Sequence, residues 1–244
     1  LYKPYQGNNV SSEVVKSIRS NSKHIDDTLS RVFSEIFFND NSTKPLSLSG
    51  RNLLAYNAML YTINKMLMVD EDRAPFHLVS HELEVFKLVE IAGYQVRLGG
   101  FIDRVEIKDG TVWSIDYKTG KSSDSKGKFE IIDELFDPEK IDNKKEVFQT
   151  FCYALALTDI YPSSPIKPAL WFVKTAKGTK DFNISQGKSK AYKSVDDFRV
   201  YQEEFKFGLT GLLSEIFDPN IPFMQTDDSD RCRNCPFNIL CSRE

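Results

Sequence analysis

Apolar side chains recur with helical spacing through the first third of the chain. Residues 11–38 place them three, four and seven positions apart, which predicts an amphipathic helix broken near Asn21 and Ser22. Residues 50–69 repeat the same period. We therefore predict that residues 1–75 form a helical cap packed on one side of a larger core.

The period changes to two in the next segment, as it does in a β-strand. Apolar and polar residues alternate over 79–91, again over 94–107 and again over 111–118. Short turns separate these runs, and the second turn is Asp109-Gly110, a favoured two-residue hairpin sequence. This pattern predicts an antiparallel meander of three strands.

The rest of the chain alternates between loop, helix and strand. The predicted elements are a long exposed loop over 119–142, a helix over 144–160, a strand over 169–175, a weaker strand over 182–184 and a helix over 195–217. Together with the meander they indicate an α+β, or mixed α/β, fold, in which the strand after residue 168 extends a central mixed sheet. The predicted core spans residues 76–218, and a cysteine-rich tail occupies 219–244.

Composition and charge exclude several classes of protein. Of the 244 residues, 41% are hydrophobic and 27% are charged, the balance of a soluble globular protein rather than a disordered or fibrous one. No apolar run approaches the roughly 18 residues of a membrane helix, so we expect no membrane partner. Lys and Arg number 32 against 35 Asp and Glu, a net charge of −3, so any contact with DNA must be local.

The start of the chain and its cysteines bear on origin and compartment. The first residues, Leu1-Tyr2-Lys3-Pro4, lack an initiator Met and the basic and apolar regions of a signal peptide, so we expect a fragment of a longer protein. Four cysteines are too few for a disulfide scaffold, and three of them lie in the last thirteen residues. This crowding indicates metal or cluster ligation in a reducing compartment, and we expect a cytoplasmic location.

Two carboxylates and a lysine are predicted to meet at the end of the meander. Asp116 and Lys118 lie two apart on the third strand, so their side chains share a face, and the preceding turn can bring Asp103 near Asp116. Such oxygens suit Mg²⁺ or Mn²⁺, and the ammonium can offset phosphate charge or steady an attacking water. The alternative is a set of solvated surface ion pairs. Apolar neighbours indicate a buried hairpin, where an unpaired carboxylate is costly, and this favours a functional role.

Three motifs follow one another along the chain: Gly100-x-x-Asp103, Asp116-x-Lys118 and Gln149-x-x-x-Tyr153. Each is weak alone, but in this order and in a strand–strand–helix context they resemble the PD-(D/E)XK nuclease superfamily. The closest resemblance is to its RecB-like branch, which includes the nuclease domain of AddB, and it covers roughly residues 79–241. The resemblance implies a restriction-endonuclease-like core and a Mg²⁺- or Mn²⁺-dependent DNA nuclease of DNA repair. It favours an exonuclease over an endonuclease, with a helicase subunit or helicase domain as partner.

The resemblance also assigns roles to individual residues. Asp103 and Asp116 would be metal ligands, with the Tyr117 carbonyl as a third, and Lys118 would be the catalytic lysine. Lysines flank this site and could follow a phosphate backbone, although a solvated loop would look the same. These are Lys121, Lys126, Lys128, Lys140, Lys144 and Lys145.

Other candidates depend more heavily on the resemblance. Gln149 and Tyr153, one helical turn apart, would orient the site or contact the DNA backbone, although their spacing alone favours ordinary helix packing. Glu84 matches an acidic position found in many relatives. Glu82 is equally eligible, and either glutamate can instead be a solvated strand residue. The histidines match no family position and are interpreted as surface or capping residues: His24, His77 and His81.

The tail carries Cys232, Cys235 and Cys241 in a C-x₂-C-x₅-C spacing that can close on one metal centre. In AddB-like nucleases three such cysteines join one upstream cysteine to hold a [4Fe–4S] cluster; a structural zinc is the rival and also needs four ligands. Here no cysteine precedes Cys152, which is interpreted as a small core residue. We expect the first cluster ligand and an active-site histidine to lie upstream, with Leu1-Tyr2 as the end of that helix. Whether this chain alone holds a cluster or cleaves DNA stays open.

Two further functions compete with a nuclease. The first is a catalytically inactive DNA-binding or scaffolding module with the same fold, against which the intact Asp-x-Lys motif argues. The second is a metal-dependent enzyme with another substrate. It ranks last, because the sequence has no Walker loop, no Rossmann glycine set and no Ser-His-Asp arrangement.

Overall fold

A computed structural model of the chain describes residues 1–40, 46–120, 126–175, 178, 182–189, 191–233 and 235–242. Its helices and strands are, in chain order, β1 (Asn8–Val10), α1 (Ser12–Ser20), α2 (Ser22–Val32), α3 (Gly50–Arg73), β2 (Phe76–Ile91), β3 (Tyr94–Lys108), β4 (Thr111–Lys118), β5 (Lys128–Phe129), α4 (Ile141–Ile160), β6 (Ile166–Phe172), β7 (Ser185–Gln186), β8 (Lys193–Ser194), α5 (Gln202–Ile216) and α6 (Ser229–Cys232). Within these described ranges, the helices fall short of the length and apolar character that a membrane span requires.

Five strands form the main sheet, in the order β1–β2–β3–β4–β6. The first three neighbour pairs are antiparallel, and β6 pairs with β4 in parallel. The parallel pair requires a crossover, and α4 lies within it. The predicted fold class is confirmed: a three-strand meander, extended on one side by the strand after α4 into a mixed sheet with flanking helices. A small second sheet has the order β5–β7–β8.

Local sequence explains where several elements turn or begin. Both predicted hairpin turns, Ala92-Gly93 and Asp109-Gly110, have left-handed backbones at both residues, as tight two-residue hairpins require. The predicted break between the first two helices is also present. The side chain of Asn21 accepts a hydrogen bond from the His24 amide and caps α2.

Several elements differ from prediction. Strand β6 begins at Ile166, three residues early, because Lys167 is buried with its ammonium 2.6 Å from Asp196 and 4.5 Å from the Trp113 ring centre. Strand β1 was missed because it has only three residues. The predicted loop over 119–142 contains β5 and a 3₁₀ turn at Ile132–Leu135, while its residues 121–125 lie outside the described part of the chain.

Helices cover the two faces of the sheet. Helix α4 packs on one face through an almost continuously buried stretch, and its Phe151 lies edge-on to Phe205 of α5 at 5.5 Å between ring centres. On the other face Trp113 and Trp171 pack with Val69 of α3. The meander therefore has one face toward α4 and the opposite face toward α3.

A buried ionic network joins the end of α3 to β3. We call it the arginine network, and its members are Asp70, Arg73, Arg104 and Glu106. Asp70 accepts from Arg104 at 2.8 Å and from Arg73 at 3.2 Å, and Glu106 pairs with the same two guanidinium groups. The Arg73 guanidinium also lies over the rings of Trp113 and Phe182. Two positive and two negative groups therefore balance inside the protein.

Candidate active site

The two predicted metal-binding carboxylates lie on neighbouring strands. Arg104 of β3 is paired with Ile115 of β4, so Asp103 and Asp116 are the next residues along the two strands. Asp103 Oδ2 accepts a hydrogen bond of 2.6 Å from the backbone amide of Tyr117. The meander thus brings together the two carboxylates that the sequence predicted to be close, and Tyr117 lies beside them.

A chain of polar contacts runs from Asp116 to helix α4. Lys118 Nζ lies 2.7 Å from Asp116 Oδ2 and donates to Gln149 Oε1 at 2.9 Å. Gln149 Nε2 in turn donates to the Tyr153 hydroxyl at 2.8 Å. The Tyr153 ring packs in the hydrophobic core, while the polar groups of Gln149 and Tyr153 extend the contacts of Lys118, so the structure is consistent with both interpretations of these residues.

Steric crowding explains why position 100 is a glycine. A Cβ atom there would lie 3.3 Å from the Tyr153 ring, closer than most real Cβ contacts. The absence of a side chain therefore lets β3 approach α4 closely. The first and third motifs meet at this contact, three residues before Asp103.

Charge accumulates around Asp116. The residue is only 4% exposed, and this burial raises the pKa of its carboxyl, with the negative charges of Asp103 and Glu146 adding to the increase. The neighbouring Lys118 ammonium acts in the opposite direction. Two nearby carboxylates, one of them buried, are the hard oxygen donors that a divalent cation favours. The residues present therefore fit Mg²⁺ or Mn²⁺, although in the described ranges no three Asp, Glu, His or Cys side chains form a group that could hold a metal.

Glu84 and Glu82 occupy different positions around this site. Glu84 is exposed and forms an ion pair of 2.7 Å with Arg97, which lies on the outer half of the β2–β3 hairpin. Glu82 lies between His81 and Leu83, whose partners are Arg104 and Ile102, so it is level with Asp103. Its φ of 50° is unusual for a residue within a strand. The strand register therefore puts the Glu82 backbone opposite Asp103 and the Glu84 backbone opposite Phe101, two residues from Asp103.

In the described part of the tail, the three cysteines do not assemble a metal site. Each is half-buried, and backbone turns connect them: the Cys235 amide donates to the Cys232 carbonyl at 3.0 Å. Across the ranges that the structure describes, Cys232, Cys235 and Cys241 belong to no group of potential metal ligands. Cys152, in contrast, is buried in the core as predicted, and burial raises the pKa of its thiol to about 12.

The flanking lysines are mostly engaged in ion pairs. Lys126 lies 3.1 Å from Glu146, and both Lys140 and Lys144 pair with Glu134. Lys128 lies over the Tyr192 ring, while Lys121 falls outside the described residues. These contacts reduce the positive charge available to a phosphate backbone.

Two features near the site were missed in the sequence. Glu146 is buried on α4, and its negative charge contributes to the raised pKa of Asp116. The available signal was an acidic residue three positions before Gln149 on the same helix. His81 is not a surface residue, since it packs against the Tyr2 ring, and burial together with the Arg104 charge lowers its pKa. His24 is exposed, and His77 contacts the Asn9 side chain.

Comparison with known proteins decides the family. A family model of the PD-(D/E)XK nuclease superfamily matches residues 7–242, nearly the whole chain. The chain belongs to the PD-(D/E)XK nuclease superfamily. Members of this superfamily are generally metal-dependent nucleases. A search of curated proteins finds no significant match.

A solved structure, that of SSO0001, aligns with 95% of this PD-(D/E)XK chain and 96% of its own. The identity is 10% and the TM-score is 0.33. A similarity of this size adds nothing to the assignment, which depends on the family model.

Proposed function

We propose that this protein is a Mg²⁺- or Mn²⁺-dependent deoxyribonuclease, and specifically an exonuclease of the RecB and AddB type. The observation that supports this most strongly is the contact chain from Asp116 through Lys118 to Gln149, beside Asp103. DNA is the proposed substrate, a helicase subunit or domain the proposed partner, DNA repair the process and the cytoplasm the location.

Each side chain of the site has a part in phosphodiester hydrolysis. Asp103 and Asp116 would hold the divalent ion, with the Tyr117 carbonyl as a further ligand. When bound, such an ion lowers the pKa of a water molecule and neutralises charge on the phosphate. Lys118 places a positive charge where negative charge develops in the transition state. Gln149 accepts from Lys118 and donates to Tyr153, so these two residues fix the position of the ammonium.

The decisive experiment compares linear and closed-circular DNA in the presence of Mg²⁺ or Mn²⁺. We expect degradation of linear DNA, none in the chelator EDTA, and none by Asp116→Asn. The matched control is Asp109→Asn, an identical change at an exposed turn position. Cleavage of the closed circle would instead assign an endonuclease.

A different result of the same experiment would contradict the nuclease proposal. If the wild-type protein cleaves neither DNA in either metal but still binds DNA, the catalytic proposal is wrong. The inactive DNA-binding or scaffolding module then takes its place.

Glu82 and Glu84 can be separated in the same assay. The position of Glu82 beside Asp103 leads us to expect the larger loss of cleavage from Glu82→Gln. A larger loss from Glu84→Gln would support the acidic position that the family resemblance suggested.

A [4Fe–4S] cluster at the tail cysteines belongs to this proposal only through the resemblance to AddB. The visible absorption spectrum of protein purified without oxygen tests it directly. A colourless protein with no bound iron would remove the cluster from the proposal.

A further inference from the structure

Glu146 is the least compensated buried carboxylate near the active site. Its side chain is 8% exposed, and its only ion pair among the described residues is with Lys126, at 3.1 Å through Oε1. The other oxygen, Oε2, is buried and has no hydrogen-bond partner within the described part of the chain. Such a carboxylate is costly to bury, because an ionised group loses its hydration and gains little in return.

The buried carboxylates of the arginine network provide the contrast. Asp70 contacts two guanidinium groups and the Tyr2 hydroxyl, and Glu106 contacts the same two guanidinium groups. Within the ranges that the structure describes, the Lys126 ammonium is the one ion-pair partner of Glu146, and it is partly exposed. Glu106 Oε2 and Asp116 Oδ2 also lack a hydrogen bond within the described residues, but each forms an ion pair, with Arg104 and with Lys118. Glu146 Oε2 has neither kind of partner in the described part of the chain.

The helix directs Glu146 toward the active site. It precedes Gln149 by three residues and Tyr153 by seven, so all three lie along one face of α4. The negative charge of Glu146 reaches Asp116, where it contributes to the raised pKa after burial and Asp103. Asp103, Asp116 and Glu146 are nevertheless not arranged to hold one ion among themselves. Glu146 is therefore placed to act on the site without being a ligand.

We propose that Glu146 is a positioning residue for the divalent-ion site, and that its free Oε2 accepts a hydrogen bond from water in that site. The carboxylate adds negative charge behind Asp116 and so increases the affinity for the cation. This role rests on the proposed metal-dependent function. It explains why an under-paired acid is retained in the interior, since its compensation arrives with the cation and its water.

The test measures cation binding and apo stability together, on the full chain. Glu146→Gln keeps the size of the side chain and removes its charge. We expect the affinity for Mn²⁺, measured by titration calorimetry, to fall about tenfold, the usual lower limit for residues around metal ligands. We also expect the melting temperature in EDTA to rise, because an uncompensated buried charge has been removed.

A matched variant identifies effects of ordinary ion pairs. Glu134→Gln makes the same change in a carboxylate that is well paired with Lys140, Lys144 and the Glu130 amide. We expect its melting temperature to fall and its Mn²⁺ affinity to match that of the wild type. Lys126→Met removes the one cation that pairs with Glu146 among the described residues, and it is expected to lower the melting temperature without weakening Mn²⁺ binding.

The possible outcomes separate this inference from the function it rests on. Unchanged Mn²⁺ affinity in Glu146→Gln overturns the inference. If the melting temperature of that variant also falls, the role of Glu146 is structural. A wild-type protein that binds no Mn²⁺ overturns both the positioning role and the metal-dependent function. If Glu146→Gln loses affinity while the wild type cleaves no DNA, the cation site stands and only the nuclease function fails.

Discussion

Two groups of charged residues lie on opposite faces of the same pair of strands, and they differ in charge balance. The arginine network, on the α3 side, sets two guanidinium groups against two carboxylates. The carboxylate cluster, on the α4 side, consists of Asp103, Asp116 and Glu146. Among the described residues, its ion pairs are with two ammonium groups, those of Lys118 and Lys126. The charges of the arginine network balance, whereas the carboxylate cluster has more negative than positive groups.

The difference shows how one sheet serves stability and chemistry separately. Buried charges that are fully paired add little free energy, but removing one partner leaves the other without compensation. The carboxylate cluster has that incomplete state in the wild-type protein. A site built for a cation is expected to cost stability until the cation binds, which is the familiar opposition between stability and activity.

The largest effect on stability is expected when the arginine network loses one of its arginines. Arg104→Met removes the guanidinium that contacts both Asp70 and Glu106. We expect the free energy of unfolding to fall by about 3–5 kcal/mol, the usual result of removing one member of a buried ion pair. Urea unfolding measures this change. A loss below about 1 kcal/mol, typical of exposed ion pairs, would contradict the dependence of Asp70 and Glu106 on Arg104.

Removing the lysine beside the carboxylate cluster is expected to affect the rate of DNA cleavage more than the fold. Lys118→Met keeps the aliphatic chain and removes the ammonium that contacts Asp116 and Gln149. We expect single-turnover cleavage to slow by about 10²–10³-fold, as when one transition-state donor is removed elsewhere. The circular dichroism spectrum should stay that of the wild type. Full activity in this variant would remove Lys118 from the mechanism.

The pH dependence of stability sharpens the comparison further. The pKa of Asp116 is raised by burial, so the folded protein holds this proton to higher pH than an unfolded aspartate, whose pKa is about 3.9. Between these two pKa values the folded state binds more protons, and the free energy of unfolding therefore falls as pH rises.

Asp116→Asn lacks this titration. In EDTA, its melting temperature should exceed that of the wild type at neutral pH, and the gap should close as the pH is lowered toward about 4. Scanning calorimetry across this range measures the gap. A gap that does not change with pH would show that Asp116 titrates as an ordinary exposed aspartate.

The smallest effect is expected at an exposed ion pair on the same hairpin. Arg97→Met breaks the contact with Glu84, in which both side chains are more than half exposed. We expect the free energy of unfolding to change by less than about 1 kcal/mol, since solvent screens such pairs. This variant is the exposed counterpart of Arg104→Met in the same urea experiment. Equal losses from the two would contradict the role assigned to burial.

Much of the fold and part of the site were predictable because they follow from local pattern. Period-two alternation identified the meander, and Asp109-Gly110 identified its second turn, which has the expected left-handed backbone. The spacing of Asp116 and Lys118 placed both side chains on one face of β4, where they form their ion pair. Strand pairing then made Asp103 a neighbour of Asp116.

Tertiary contacts decided the rest, because burial of polar groups depends on partners far away in the chain. Burial of Lys167 in β6 is possible because its ammonium contacts Asp196 and the Trp113 ring. The arginine network joins residues about thirty positions apart, and no local pattern in the sequence pairs them. The tail cysteines show the converse, since a spacing suited to a metal centre does not assemble one here within the described ranges.

The sequence alone thus determined the order of the elements and the set of residues in the three motifs, because both depend on nearest neighbours and on side-chain periodicity. Only the tertiary structure decided which charges are neutralised. That balance depends on which partners packing brings within a few ångströms of a buried group. It separates Asp70, held between two arginines, from Glu146, which is left with one lysine and a free oxygen in the described structure.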